Sequence, residues 1–112
     1  MKYLLMIYAE DGAWQKLPED ERQRRYREYA EVGAHPAVRG GAQLQPGTTA
    51  TTVRAQDGEV LTTDGPFAET KEQLGGYYLV ECDNLDEAIE LAARIPAAGD
   101  GGAVEVRPLV ER

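Results

Sequence analysis

The first apolar run, residues 2–9, carries hydrophobic side chains on both of its alternations, Tyr3-Leu5-Ile7 and Leu4-Met6-Tyr8. That pattern predicts a central strand covered on both faces. Asp11-Gly12 turns the chain. Pro18 at a first helical position, followed by Glu19, Asp20 and Glu21, suits the positive end of a helix dipole. The spacing predicts a helix from Pro18 to about Val32, packing a narrow stripe of Tyr26, Tyr29 and Ala30 against a sheet. Residues 34–41 contain His35-Pro36 and Gly40-Gly41 and read as a loop or broken turn, with a short strand over residues 42–45. Asp57-Gly58 favours a tight hairpin joining residues 51–55 to residues 59–63. Residues 76–82 alternate Tyr78, Val80 and Cys82 against Tyr77, Leu79 and Glu81, as a strand does. Asn84 and Glu87 form a capping-box pattern, and Leu85, Ala88, Ile89, Ala92 and Ile95 repeat at helical spacing up to Pro96. A last strand is expected over residues 103–107, with Val104 and Val106 on one face.

Strand, helix, hairpin-bearing strand region, strand, helix and strand is the order of a split βαβ, a ferredoxin-like α+β sandwich with an inserted β-hairpin. Two helices can cover only one face of such a sheet. A second copy of the chain is the simplest cover for the other, which predicts a homodimer of the dimeric α/β-barrel kind. The expectation is that Tyr3, Leu5, Ile7 and their neighbours on residues 77–82 cannot all reach one helix layer.

A length of 112 residues matches one domain, residues 1–112, with one modest core. Twenty acidic against twelve basic residues give a net charge of −8, which repels a phosphate backbone and argues against nucleic acid as a partner. The cluster Arg22, Arg24, Arg25 and Arg27 is interleaved with acids and reads as a solvated, ion-paired helix face. No apolar run approaches the roughly 20 residues of a spanning helix, and no signal-peptide pattern opens the chain, so a cytoplasmic protein away from membranes is expected. The single Cys82 has no metal-ligand neighbours and reads as a buried thiol. Serine is absent, which excludes a serine nucleophile, and there is no phosphate loop, dinucleotide fingerprint or zinc motif. No cofactor or metal is expected.

The densest polar chemistry runs from Asp64-Gly65-Pro66-Phe67 through Ala68-Glu69-Thr70-Lys71-Glu72 into Gly75-Gly76. Gly65 frees the backbone and Pro66 fixes it, making a sharp corner. Two readings follow. Asp64, Phe67, Glu69, Lys71 and Glu72 line a ligand cleft, with Asp64, Glu69 or Glu72 as base or metal ligand and Lys71 as anion contact; or Asp64 caps the turn, and Glu and Lys pair with each other or across the dimer. Tyr8, Tyr77, Tyr78, Phe67 and Trp14 are candidates for an aromatic pocket, against the plainer reading as core. His35, the only imidazole, is a candidate proton carrier.

With this motif the chain resembles the DGPF branch of the YCII-related proteins over most of its length. The resemblance implies a dimer, and a frequent genomic association with extracytoplasmic-function sigma factors suggests a regulatory protein partner. The wider family is thought to use a His and Asp pair, the Asp just before a Pro after the second helix. Here Ile95 precedes Pro96 and His35 lies beyond the first helix, so no catalytic dyad is carried over. Two functions stand: a small dimeric ligand-binding module or enzyme with its cleft at the Asp64–Glu72 segment, or an accessory protein working through a protein partner.

Overall fold

Lys2–Glu10 (β1) is an inner strand of a four-stranded antiparallel sheet in a computed structural model that describes residues Met1 to Arg112. Its neighbours are Glu72–Glu81 (β5) and Ala103–Pro108 (β6), and Val38–Gln43 (β2) completes the order β2-β5-β1-β6. Between β1 and β2 come Ala13–Lys16 (α1) and Glu19–Gly33 (α2); between β5 and β6 come Leu85–Ala93 (α3) and Pro96–Gly99 (α4). This is the ferredoxin-like α+β arrangement that the order of elements predicts. Thr51–Gln56 (β3) and Glu59–Asp64 (β4) form a separate two-stranded sheet.

The core lies under the helices on one face of the sheet. Tyr3, Leu5 and Ile7 of β1 and Val80 of β5 are buried there with Val32, Cys82, Ala88, Leu91, Ala92, Ile95 and Ala97. Each large apolar side chain so buried contributes about 2 kcal/mol. As expected, Tyr3, Leu5, Ile7 and their neighbours on residues 77–82 do not all reach one helix layer: Tyr77 and Leu79 stay outside the buried core, while Tyr3, Leu5 and Ile7 are in it. Three alanines on α3 and α4 leave the space that larger residues would have taken, and all three side chains fit. The opposite face carries Leu4, Met6 and Tyr8 of β1, with Leu4 beside Leu79 and Met6 beside Tyr77. Of these, Tyr77 is exposed and the other four are only half-buried, so no layer of this chain covers the face.

Several boundaries differ from the sequence expectation, each for a packing reason. Pro18 is extended, with ψ 151°, and caps α2 without entering it. The short α1, which has no counterpart in the expectation, brings Trp14 beneath α2. The supposed loop over residues 34–41 already contains strand β2 from Val38. Gly41 is demanded there by close approach: a Cβ would stand 2.6 Å from the Tyr77 carbonyl oxygen and 2.9 Å from Tyr78 Cδ1. Strand β5 starts at Glu72 instead of Gly76, because a bulge opposite Ile7 and Tyr8 leaves Gly75 without a partner and lets pairing continue past it.

The capping box forms with one arm shifted by a residue. Glu87 N donates to Asn84 Oδ1 (3.0 Å), and Glu87 Oε2 accepts from Asp83 N (2.9 Å). Asp57 and Gly58 sit at φ 50° and 80°, the two positive values of a type I′ hairpin turn. The hairpin projects from the body. Val53 and Val60 are 61% and 70% exposed, and the radius of gyration is 15.7 Å, against about 13 Å for a compact chain of this length.

Leu5→Ala is expected to lower unfolding free energy by roughly 2–5 kcal/mol and Asn84→Ala by about 1 kcal/mol, both read from urea denaturation. An Asn84→Ala chain as stable as the parent would show that the cap is not holding α3.

Candidate functional site

A hollow of about 280 Å³ lies between the turn of α2 that carries Tyr26 and Tyr29 and the end of the sheet. It exists because the two layers are held apart while the floor is made of small residues: Ala9, Gly41, Ala42, Gly75 and Gly76. Trp14 props the roof. Its ring meets Tyr26 edge-on at 4.9 Å and 76°, and Tyr29 at 6.2 Å and 66°, so perpendicular aromatic faces form a corner. Tyr78 spans from the sheet, its hydroxyl donating to the Tyr29 carbonyl at 2.7 Å. That bond ties α2 to β5 at a fixed height.

The rim is polar. Gly47 N donates to Asp11 Oδ1 (3.0 Å) and Leu44 N to the Gly75 carbonyl (2.9 Å), which fastens residues 44–47 across the strand ends. Gln73, on the wall, donates its amide to the carbonyls of Ala68 (3.2 Å) and Thr70 (2.8 Å). Glu10 and Asp11 are the charged residues of the wall, and it has no Lys, Arg or His. Burial first, and then the neighbouring Tyr29, push the Tyr78 phenol up to about 12; burial also raises Tyr29. Both phenols stay protonated at neutral pH, acting as hydrogen-bonding groups and not as bases.

The aromatic candidates separate. Trp14, Tyr77 and Tyr78 line the cavity, joined by Tyr26 and Tyr29; Tyr8 and Phe67 do not. Nor do Asp64, Glu69, Lys71 and Glu72 line it within one chain. Phe67 is 75% exposed, with the Arg54 guanidinium 4.9 Å above its ring. The corner is closed by Gly65, at φ 98°, whose N–H donates to the Ala50 carbonyl (2.7 Å) and whose carbonyl accepts from Thr52 Oγ1 (2.8 Å). No backbone amide is capped by Asp64, and neither Asp64, Glu69 nor Lys71 forms an ion pair in the chain. Gln73 is the link between this segment and the cavity.

His35 is elsewhere, in a shallow depression with Glu28, Glu31 and Arg94. Its Nδ1 accepts from Ala37 N (3.0 Å), so the ring closes the turn after α2. Asp11 enters the sequence pattern only as half of the Asp11-Gly12 turn, and Gln73 follows directly on the Asp64–Glu72 segment without being singled out. Their signal is positional, at strand ends flanking Gly12 and Gly75.

Two outcomes check this geometry. Tyr78→Phe is expected to cost roughly 0.5–1.5 kcal/mol at neutral pH. Because the folded phenol sits above its ordinary 10.0, its neutral form stabilises the fold fully below that pH, and the contribution is lost as pH rises through about 12. Denaturation across that alkaline range should show a shallower fall for Tyr78→Phe than for the parent. Gly65→Val should cost roughly 1–3 kcal/mol, since a β-branched residue resists positive φ; an unchanged melting temperature would show that the corner tolerates it.

The model of the YCII-related domain matches residues 1–112, the whole chain. "Uncharacterized protein R00369" of Rhizobium meliloti (strain 1021) is 44% identical over 118 residues, spanning 97% of this chain and 92% of that protein. Among solved structures, the 5-chloro-2-hydroxyhydroquinone dehydrochlorinase TftG of Burkholderia phenoliruptrix AC1100, in complex with 2,5-dihydroxybenzoquinone, superposes with TM-score 0.52. It is 17% identical, with 100% of this chain and 96% of that one covered, a likeness of fold. By the match along its full length, this chain belongs to the YCII-related domain family.

Proposed function

We propose that the protein is a homodimer that binds a small, single-ring-sized organic molecule in the aromatic cavity. The observation that carries this reading is the cavity itself: about 280 Å³, walled by Trp14, Tyr26, Tyr29, Tyr77 and Tyr78 over a floor of small residues. A void of about 150 Å³ already holds benzene, so one ring with substituents fits. The like-folded TftG, complexed with a planar six-membered ring, supports the size. Proton transfer to a bound molecule would fall to Asp11 or Glu10, the carboxylates of the wall.

The dimer rests on area. The chain exposes 7807 Å², about 1,700 Å² more than the roughly 6,100 Å² expected of a compact monomer this size. Obligate homodimers bury about 1,000–2,500 Å² on each partner. The open sheet face with Leu4, Met6 and Leu79, and the apolar face of the hairpin with Val53 and Val60, are where that excess lies. In this reading the Asp64–Glu72 segment, whose Asp64, Phe67, Glu69 and Lys71 are free of structural partners apart from Arg54, lines the site once two chains assemble. A lone unpaired thiol at Cys82 suits the cytoplasm.

A second reading, an accessory protein for a regulatory partner such as a sigma factor, is favoured by Leu85 and Ile89. They lie one turn apart on α3 and are both half exposed.

Light scattering at micromolar concentration should give twice the chain mass, and Leu79→Asp should give a folded monomer; a monomeric parent would remove the dimer. Trp14 is the only tryptophan, so its emission reports the cavity alone. Single-ring compounds should perturb that emission and raise the melting temperature, with Tyr26→Ala weakening binding about tenfold. A broad panel with no effect on either readout would sink the ligand reading and leave the accessory one.

A further inference from the structure

The charge of the cavity wall narrows its ligand. Glu10 and Asp11 lie among its lining residues without a single cation, and Glu10 stands directly across from Glu72 in the β1–β5 register. Like charges opposed in this way raise each other's energy, and neither residue has an ion-pair partner in the chain. Arg22 is turned to the Gln15 carbonyl (3.4 Å) and lies outside the wall.

Two acceptor oxygens converge at one end of the wall. Gln73 uses its amide N–H groups on Ala68 and Thr70, which leaves Oε1 as a pure acceptor. Asp11 uses Oδ1 on Gly47 N and leaves Oδ2. The two oxygens lie 3.3 Å and 3.5 Å from the point where a side chain on Gly47 would begin, and neither accepts a hydrogen bond within the chain. The same cavity is walled by the perpendicular faces of Trp14, Tyr26 and Tyr29, whose π-systems attract a cation and do nothing comparable for an anion.

Resting on the reading of this cavity as a ligand site, we infer that its ligand is an organic cation: a small ammonium compound. Its charged head lies against Asp11 and the Gln73 carbonyl, and its apolar body against the aromatic corner. An ammonium group donates to both free oxygens, neutralises part of the charge at the wall, and presents its C–H or N–H surface to the rings. Against Asp11 Oδ2 and Gln73 Oε1 a carboxylate or phosphate would meet acceptors and negative charge.

The test is a set of ligands of one shape and different charge, titrated into the intact protein at low ionic strength: benzyltrimethylammonium, benzylamine, benzyl alcohol and phenylacetate. Trp14 emission and calorimetry read the binding. Both ammonium probes should bind about tenfold tighter than the alcohol, with phenylacetate weakest, and the preference should shrink as salt is added. Asp11→Asn retains an oxygen for Gly47 N, so it should cut benzylamine affinity severalfold and leave benzyl alcohol unchanged. Gly47→Ala, whose methyl would stand 3.3 Å from Gln73 Oε1 and 3.5 Å from Asp11 Oδ2, should weaken benzylamine more than benzyl alcohol. If the alcohol or the acid binds as tightly as the cations, or if both variants bind benzylamine like the parent, the cationic assignment is overturned while the cavity remains a site. If none of the four binds, this inference falls; whether the site reading falls with it is decided by the broad ring-compound panel.

Discussion

Everything else in this protein follows from the unequal treatment of the two sides of β1. Tyr3, Leu5 and Ile7 are sealed under alanine-rich helices, and the burial of these side chains with Val80 and Ile95 supplies most of the apolar stabilisation the chain can generate alone. Leu4, Met6 and Tyr8 share the same backbone and so cannot be moved away from the opposite face. A strand that is apolar on both sides in a chain with helices for one side leaves a surface that only a second body can dry. The projecting hairpin, exposed on both of its own faces, repeats that condition.

The cavity arises from the same economy of material. Helix α2 is strongly charged and buries only Val32 fully, so little apolar surface draws the turn that carries Tyr26 and Tyr29 down onto the sheet. Trp14 from α1 and the Tyr78 hydroxyl hold it at a distance that the small floor residues do not fill. Native interiors are close-packed, and a hollow of this kind loses dispersion contacts along its lining. It persists because the aromatic roof is packed against itself.

Much of the fold was readable in advance, because its strongest signals are local. The Asp57-Gly58 turn, the Asn84 and Glu87 cap and the two-sided apolar pattern of β1 each act within a few residues. What failed depended on contacts distant in sequence. Gly40-Gly41 looks like punctuation, and only the approach of Tyr77 and Tyr78 shows that Gly41 belongs to a strand. The bulge at Gly75 likewise needs its partner strand to be visible. For the site, Trp14, Tyr77 and Tyr78 were legible as aromatic candidates, whereas Tyr26 and Tyr29 read as an ordinary helix stripe, Asp11 as half of a turn and Gln73 only as the neighbour of Glu72.

Gln73 joins two parts of the molecule through a single rigid group. Its amide plane holds the carbonyls of Ala68 and Thr70 on one edge and borders the cavity on the other, so the plane cannot tilt toward one without giving ground at the other. The segment after the hairpin and the contents of the cavity are therefore mechanically geared. Thermodynamic reciprocity makes such gearing run both ways: whatever free energy an occupant spends in setting this amide is the same by which a set segment alters the occupant's hold. If the proposed dimer closes over this segment, assembly and occupancy are two readings of one equilibrium.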